Sequence, residues 1–212
     1  MAAEPLREYP GASFVQAEFN DGDSFQVRFD RNGQLETHVV RLYFIDAFES
    51  IADSKTRKQT LLDQTRYFEF AGPNRPKGIE YGEKAASRVS ELLSEPFTVH
   101  TSFAMSRGSS RKPRILAMIT TAKGDDLAAV LVREGLARIT KGVRKRPDGT
   151  SGENYREELL DLEKKAKAQK IGAWVYSDPT QRAKIDEERQ REERELEEVV
   201  PSSRKKSARP KT

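Results

Sequence analysis

Two Asx-Gly turns, Asp21-Gly22 and Asn32-Gly33, separate three short apolar runs near the start of the chain. Glycine accepts positive φ without steric cost, so each pair predicts a tight turn between antiparallel strands. Residues 12–19 and 24–29 read as strands around the first turn. Residues 36–45, with Val39, Val40, Leu42, Phe44 and Ile45 apolar, read as one long strand after the second. Together they predict an antiparallel meander.

The strand ends carry the chemistry. Asp23 opens one run, Arg41 lies in the next, and Asp46 and Glu49 follow its end. Carboxylates gathered at one rim repel one another unless a cation joins them, and a hard cation together with arginines is the usual solution. That combination suits a phosphodiester.

Further along, residues 50–78 are polar and read as an excursion, with a helical turn near Leu61-Leu62. An excursion of that length in a compact domain is usually functional or mobile. From Glu80, apolar Ala85, Ala86, Val89, Leu92 and Leu93 recur at helical spacing, and Pro96 stops the helix. Strands are expected at 97–103 and 115–121, around a basic turn at 106–113. Helices are expected at 127–136 and 155–170, with a basic loop at 139–154 between them and Trp174 packing back on the core. Residues 181–198 are almost wholly charged and predict a solvated helix; residues 201–212 predict a disordered basic tail. The pattern is α+β, and short antiparallel strands of this number commonly close into a small barrel, the oligonucleotide-binding (OB) barrel being one candidate.

Composition narrows the chemistry. The chain has 212 residues, 35% hydrophobic and 34% charged, with net charge +4 and a pI of about 9.2. It is leaner in apolar residues than an ordinary globular chain, so part of it is not core. The basic excess is compatible with a polyanionic partner. Cysteine is absent and only His38 and His100 are present, which excludes thiolate chemistry and disfavours a histidine-rich zinc site. No apolar run reaches the length of a membrane span, and no signal-peptide pattern opens the chain. Either a cytoplasmic protein or an exported mature form is compatible with these features.

Several segments, in order, resemble the thermonuclease (staphylococcal-nuclease-like) family. They are Asp21-Gly22-Asp23, the run from Arg41 to Glu49, Tyr81-Gly82-Glu83-Lys84-Ala85, Arg114 leading a strand, Leu131-Val132-Arg133-Glu134-Gly135-Leu136-Ala137, and Trp174. The resemblance implies a five-stranded OB barrel with about three flanking helices over residues 1–178, followed by a charged helical extension and basic tail over 179–212. It also implies Ca²⁺-dependent hydrolysis of DNA and RNA on the 5′-oxygen side, leaving 3′-phosphate ends. Asp23 and Asp46 match the metal-ligand carboxylates, with the Ala47 carbonyl as a further ligand. Glu49 matches the carboxylate that activates water, and Arg41 and Arg114 match the arginines that grip the phosphate. A hard cation other than Ca²⁺ fits the same all-oxygen donors.

The chain departs from the family pattern at four places, one of which is the 50–78 excursion, longer than usual and placed to cover the site or alter access. Ala47-Phe48 replaces the usual Thr-Pro, which removes a hydroxyl and the stiffness of proline. Lys112-Pro113 stands where Tyr-Gly is usual. Lys141 and Val143 occupy the positions of substrate-side tyrosines. The expected nucleic-acid contacts are therefore the charges of Lys112, Lys141, Arg144, Lys145 and Arg146, with weaker base preference and stronger salt sensitivity. The competing reading is an OB module that binds single-stranded nucleic acid without cutting it.

Overall fold

Along residues 24–29 the side chains alternate, and that alternation closes a barrel. Phe25, Val27 and Phe29 are buried, while Arg28 faces solvent and Gln26 is half-buried. The computed structural model describes residues 4–70, 77–106, 112–142 and 144–181, together with positions 184, 186, 187, 190, 191 and 194. Strands β1 (Arg7–Val15), β2 (Ser24–Arg31), β3 (Gln34–Leu42), β5 (Phe97–Met105) and β6 (Ile115–Thr120) form a closed barrel in the order β1-β2-β3-β6-β5. Neighbours are antiparallel except β3 and β6, which run parallel with Arg41 opposite Leu116. A short pair, β4 (Ile45–Ala47) and β7 (Ala137–Ile139), stands outside the barrel. Among the described residues, four α-helices flank the barrel, α1 (Lys55–Tyr67), α2 (Lys77–Leu92), α3 (Leu127–Arg133) and α4 (Gly152–Ala168), followed by 3-10 turns at Gly172–Tyr176 and Pro179–Gln181. The α+β class and the five-stranded OB barrel are those expected from sequence.

Local chemistry moved several boundaries. The first strand ends at Val15 rather than at 19, because Asn20 and Asp21 capture the chain. Asn20 donates to the Val15 carbonyl at 2.9 Å, and Asp21 Oδ1 accepts from the Asp23 and Ser24 amides at 3.0 and 2.6 Å. Side chains of this type hydrogen-bond nearby backbone and so compete with a ladder. The expected single strand over 36–45 is broken by Phe44, whose φ of 68° turns the chain out of the barrel. Residues 45–47 then pair with 137–139, placing Asp46 opposite Arg138.

The largest difference is the 50–78 excursion. Instead of a helical turn it contains a full helix, α1, capped by Ser54, whose Oγ accepts from the Arg57 amide. Its buried residues are Gln64 and Thr65, both polar. With no aliphatic stripe, periodicity gave no signal. Beyond it, Phe68 and Phe70 enter an aromatic cluster. Phe48 lies 4.7 Å from Phe68 and 5.6 Å from Phe70 between ring centroids, and Trp174 lies 4.5 Å from Phe68. Trp174 is core, as expected. The helix expected over 127–136 stops at Arg133, and the loop expected from 139 begins after β7.

In the charged extension, the described positions 184, 186, 187, 190, 191 and 194 are helical, and Asp186 pairs with Arg66 of α1 at 2.6 Å. The tail expected over 201–212 lies outside the described residues, as does most of the turn expected at 106–113. Among the described residues, no helix is long and apolar enough to cross a membrane.

Candidate active site

Arg41 sits between two aspartates. The register of β2 on β3 sets Ser24 opposite Arg41, and the Leu42 amide donates to the Asp23 carbonyl at 2.8 Å. The guanidinium then reaches Asp23 Oδ1 with Nη1 at 2.8 Å and Asp46 Oδ1 with Nη2 at 2.6 Å. Arg114 precedes β6, and the parallel β3–β6 pairing brings it alongside. Its Nη1 donates to Ser24 Oγ at 3.1 Å, the same hydroxyl that Arg41 Nη1 meets at 3.3 Å. Ser24 Oγ in turn donates to Asp23 Oδ1 at 2.9 Å. Arg41, Arg114, Asp23 and Asp46 are thus gathered at one rim.

Glu49 lies at the edge of this group with its side chain 28% exposed. Its position depends on the backbone from Asp46 to Glu49, which three elements grip. The Ala47 amide donates to Asp23 Oδ2 at 2.8 Å. The Phe48 ring is buried in the aromatic cluster. Behind them α2 passes at Gly82, where a Cβ would stand 2.7 Å from the Glu49 carbonyl and the Phe48 oxygen, so only glycine allows that approach. Phe48 is thus held by ring packing against Phe68, Phe70 and Tyr81.

Three site neighbours were missed by sequence reasoning. Gln64 of α1, fully buried, donates to Asp46 Oδ2 at 2.9 Å and to the Ala47 carbonyl at 2.6 Å, and accepts from the Glu49 amide at 2.9 Å. Arg138 Nε meets Asp46 Oδ2 at 2.8 Å. Arg57 lies 3.6 Å from Glu49 and 2.8 Å from Asp53. The only sequence signal for Arg138 is a cation between two apolar residues of a short strand. Gln64 and Arg57 sit on the helix that periodicity did not reveal.

The electrostatics follow from burial and crowding. Burial pushes Asp23 well above the ordinary carboxylate value; Arg41 opposes the shift, and Asp21 and Asp46 reinforce it. Burial likewise raises Asp21, against its backbone hydrogen bonds. At Asp46, burial acts upward but is outweighed by Arg138 and Arg41, which hold the carboxyl below its usual range. Burial and the charges of Asp23 and Asp46 raise Glu49. A carboxylate raised in this way is a better proton acceptor than an ordinary glutamate. At Arg41, burial acts downward, but the surrounding carboxylates outweigh it and keep the guanidinium charged.

The donor set at this rim is all oxygen, the chemistry a hard cation takes. Among the described residues, no three acidic or histidine side chains form a ready cage. Asp23 and Asp46 are nevertheless all-oxygen donors, and each carboxylate oxygen has about two acceptor places. Asp23 Oδ1 and Asp46 Oδ2 each take two donors, whereas Asp23 Oδ2 takes one from Ala47 and Asp46 Oδ1 one from Arg41. One place therefore remains on Asp46, while Asp23 also shares a hydrogen bond with the Asp21 carboxyl that a cation would replace; the pair fits a cation that draws its other ligands from water and phosphate. The Ala47 carbonyl already accepts from Gln64, which leaves it one lone pair.

The basic residues divide by environment. Lys112 Nζ lies 3.7 Å above the Phe19 ring. Lys141 and Lys145 are exposed. Arg144 donates to the Glu4 carbonyl, beside a cavity of about 460 Å³ between Pro5, Leu6 and Arg144–Arg146. Arg146 turns inward over the Tyr155 ring at 4.6 Å and pairs with Asp126 at 3.7 Å, Asp148 at 3.5 Å and Glu158 at 3.4 Å. Val143 lies outside the described residues.

Comparison with known proteins agrees with this architecture. No curated protein matches the chain. A family model described as staphylococcal nuclease homologue matches residues 39–176, a span that contains Arg41, Asp46, Glu49, Arg114 and Arg138 but begins after Asp23. The match covers well over half of the 212 residues, and the chain belongs to the family of staphylococcal nuclease homologues.

Proposed function

We propose that this protein is a nuclease that hydrolyses phosphodiester bonds of DNA and RNA with the help of Ca²⁺ or another hard divalent cation. The observation that carries the reading is the shared rim. Two aspartates, two arginines meeting on Ser24, and a partly exposed glutamate converge there.

Asp23 and Asp46 are the residues that would hold the cation, with Ala47 offering its carbonyl. When bound, such an ion neutralises phosphate charge and polarises phosphorus toward in-line attack. The contacts described take three of the five N–H groups of Arg41, so it can also reach a non-bridging phosphate oxygen while it orders the aspartates. Arg114 supplies a second guanidinium. Both remain protonated, so they stabilise charge rather than donate the leaving proton.

Glu49 takes a proton from the attacking water as its oxygen bonds to phosphorus. The bond from phosphorus to the 5′-oxygen breaks, and that oxygen is protonated from solvent. The other product retains a 3′-phosphate. A positioned general base contributes about a hundred- to ten-thousandfold. Lys112, Lys141, Arg144 and Lys145 supply sequence-independent attraction along the strand. Residues 1–178 form the nuclease unit in this reading, and 179–212 are accessory.

The experiment is cleavage of 5′-labelled single-stranded DNA and RNA with Ca²⁺ or chelator, followed by analysis of the new ends. Products ending in 3′-phosphate, formed only with the cation, support the reading; intact substrate under both conditions contradicts it. The alternative, a non-catalytic module for single-stranded nucleic acid, draws on one observation: Arg41 itself neutralises both aspartates from the bridging position. Binding without cleavage in the same experiment selects it.

A further inference from the structure

We propose that Gln64 is a positioning residue of the candidate active site, setting both the Asp46 carboxylate and the backbone that carries Glu49. This rests on the nuclease reading above. The chemistry of the three contacts fixes the orientation of the amide. The Glu49 N–H can only donate and the Ala47 carbonyl can only accept, so Oε1 faces the former and Nε2 the latter. The same Nε2 serves Asp46 Oδ2. One neutral side chain thus ties the residue before the loop, the loop itself and the residue after it.

Only a side-chain amide supplies this combination, and asparagine is one methylene shorter. A carboxylate there would oppose Asp46, and a cation would offer no acceptor to Glu49. An apolar residue would leave the Glu49 amide and the Ala47 carbonyl without this partner, an unfavourable loss inside the fold. Gln64 and Arg138 also meet Asp46 on the same oxygen, Oδ2, which leaves Oδ1 facing Arg41. The helix that delivers Gln64 is therefore part of the active-site frame rather than a cover over it. Its two fully buried residues, Gln64 and Thr65, are polar for this reason, while Leu61 and Tyr67 pack beside them against the core.

The test compares wild type with Gln64→Met, which keeps the length and removes the hydrogen bonds, and Gln64→Glu, which keeps only the acceptor. Three quantities are read: kcat and KM on single-stranded DNA with Ca²⁺, Ca²⁺ binding by calorimetry, and hydrogen exchange of the Glu49 amide. For Gln64→Met, kcat is expected to fall about ten- to a hundredfold with KM within about threefold, because misplacement acts on the chemical step. Its Glu49 amide should exchange faster and Ca²⁺ should bind more weakly. Gln64→Glu should keep the Glu49 amide protected yet lose kcat. A folded variant of either kind with wild-type kcat overturns the proposal, and so does failure of both to fold at 25 °C, which would make Gln64 a residue of the fold alone. If the wild type cuts nothing, the nuclease reading fails by itself. Exchange at Glu49 and Ca²⁺ affinity then still decide the role of Gln64, unchanged values in Gln64→Met overturning it.

Discussion

Arg138 and Asp46 are linked twice: they are register partners across β4 and β7, and Arg138 Nε lies 2.8 Å from Asp46 Oδ2. Backbone pairing therefore aims the cation at the carboxylate. Removing one partner of a buried pair leaves a poorly compensated charge. Because Arg41 and Gln64 stay in place, Arg138→Met is expected to lose about 1–3 kcal/mol of stability, below the full effect for such pairs. Arg138→Lys should recover only part of it, since an ammonium lacks the planar fork. Denaturant unfolding of both variants checks this, and equal stability of Arg138→Met and wild type would contradict it.

Gly82→Ala should harm the site from a distance. The new Cβ would stand 2.7 Å from the Glu49 carbonyl carbon and oxygen and from the Phe48 oxygen, all backbone atoms. The helix or the loop must move, at a cost of about 1–3 kcal/mol. A lower melting temperature together with reduced kcat is expected. Wild-type kcat in this variant would show that the loop tolerates the displacement.

Acid stability should depend on His100. Burial lowers its pKa from the ordinary 6.5, and its Nε2 lies 3.0 Å from Thr120 Oγ1. The unfolded chain then binds a proton that the folded chain resists. Stability is complete above about pH 6.5 and declines as pH falls below it toward the lower folded value. Asp21, Asp23 and Glu49 are also raised and titrate in both proteins, so the difference between wild type and His100→Gln isolates the contribution of His100. The stability lost between pH 7.5 and 5.5 should be smaller in the variant; parallel losses would remove His100 as the cause.

Salt dependence should separate the basic loop into two kinds of residue. Lys141 and Lys145 are exposed, whereas Arg146 is held by Tyr155 and three carboxylates. Replacing both lysines by alanine should lower the slope of log affinity against log salt by about 1.4 on single strands, at roughly 0.7 per charge. Arg146→Ala should reduce stability and leave that slope nearly unchanged. Affinity titrations across a salt series decide the matter, and an unchanged slope in the double variant would remove the lysines from the interface.

Sequence reading reached the barrel because its strands alternate and its turns carry glycine, and it reached α2 because Ala85 and Val89 repeat on a helical face. It did not reach α1, whose fully buried residues are Gln64 and Thr65: with only Leu61 and Tyr67 packed against the core, the helix leaves no apolar period. It did not foresee the break at Phe44, because nothing in a run of apolar residues marks a left-handed turn in a non-glycine residue. The charged groups of the site were readable one by one. Their neighbours were not, since Arg138 reaches Asp46 only after β4 has left the barrel. The loss of Thr-Pro looked like a weakness in sequence; in the fold, Phe48 anchors the same backbone among Phe68, Phe70 and Tyr81.

The most direct measurement compares wild type and Glu49→Gln on single-stranded DNA with Ca²⁺, each beside a chelated sample and with DNA affinity measured in parallel. The account predicts cation-dependent cleavage by the wild type, a fall of about a hundred- to ten-thousandfold in the variant, and similar affinity in both. Equal cleavage by the two proteins, or tight binding with no cleavage by the wild type, would contradict it.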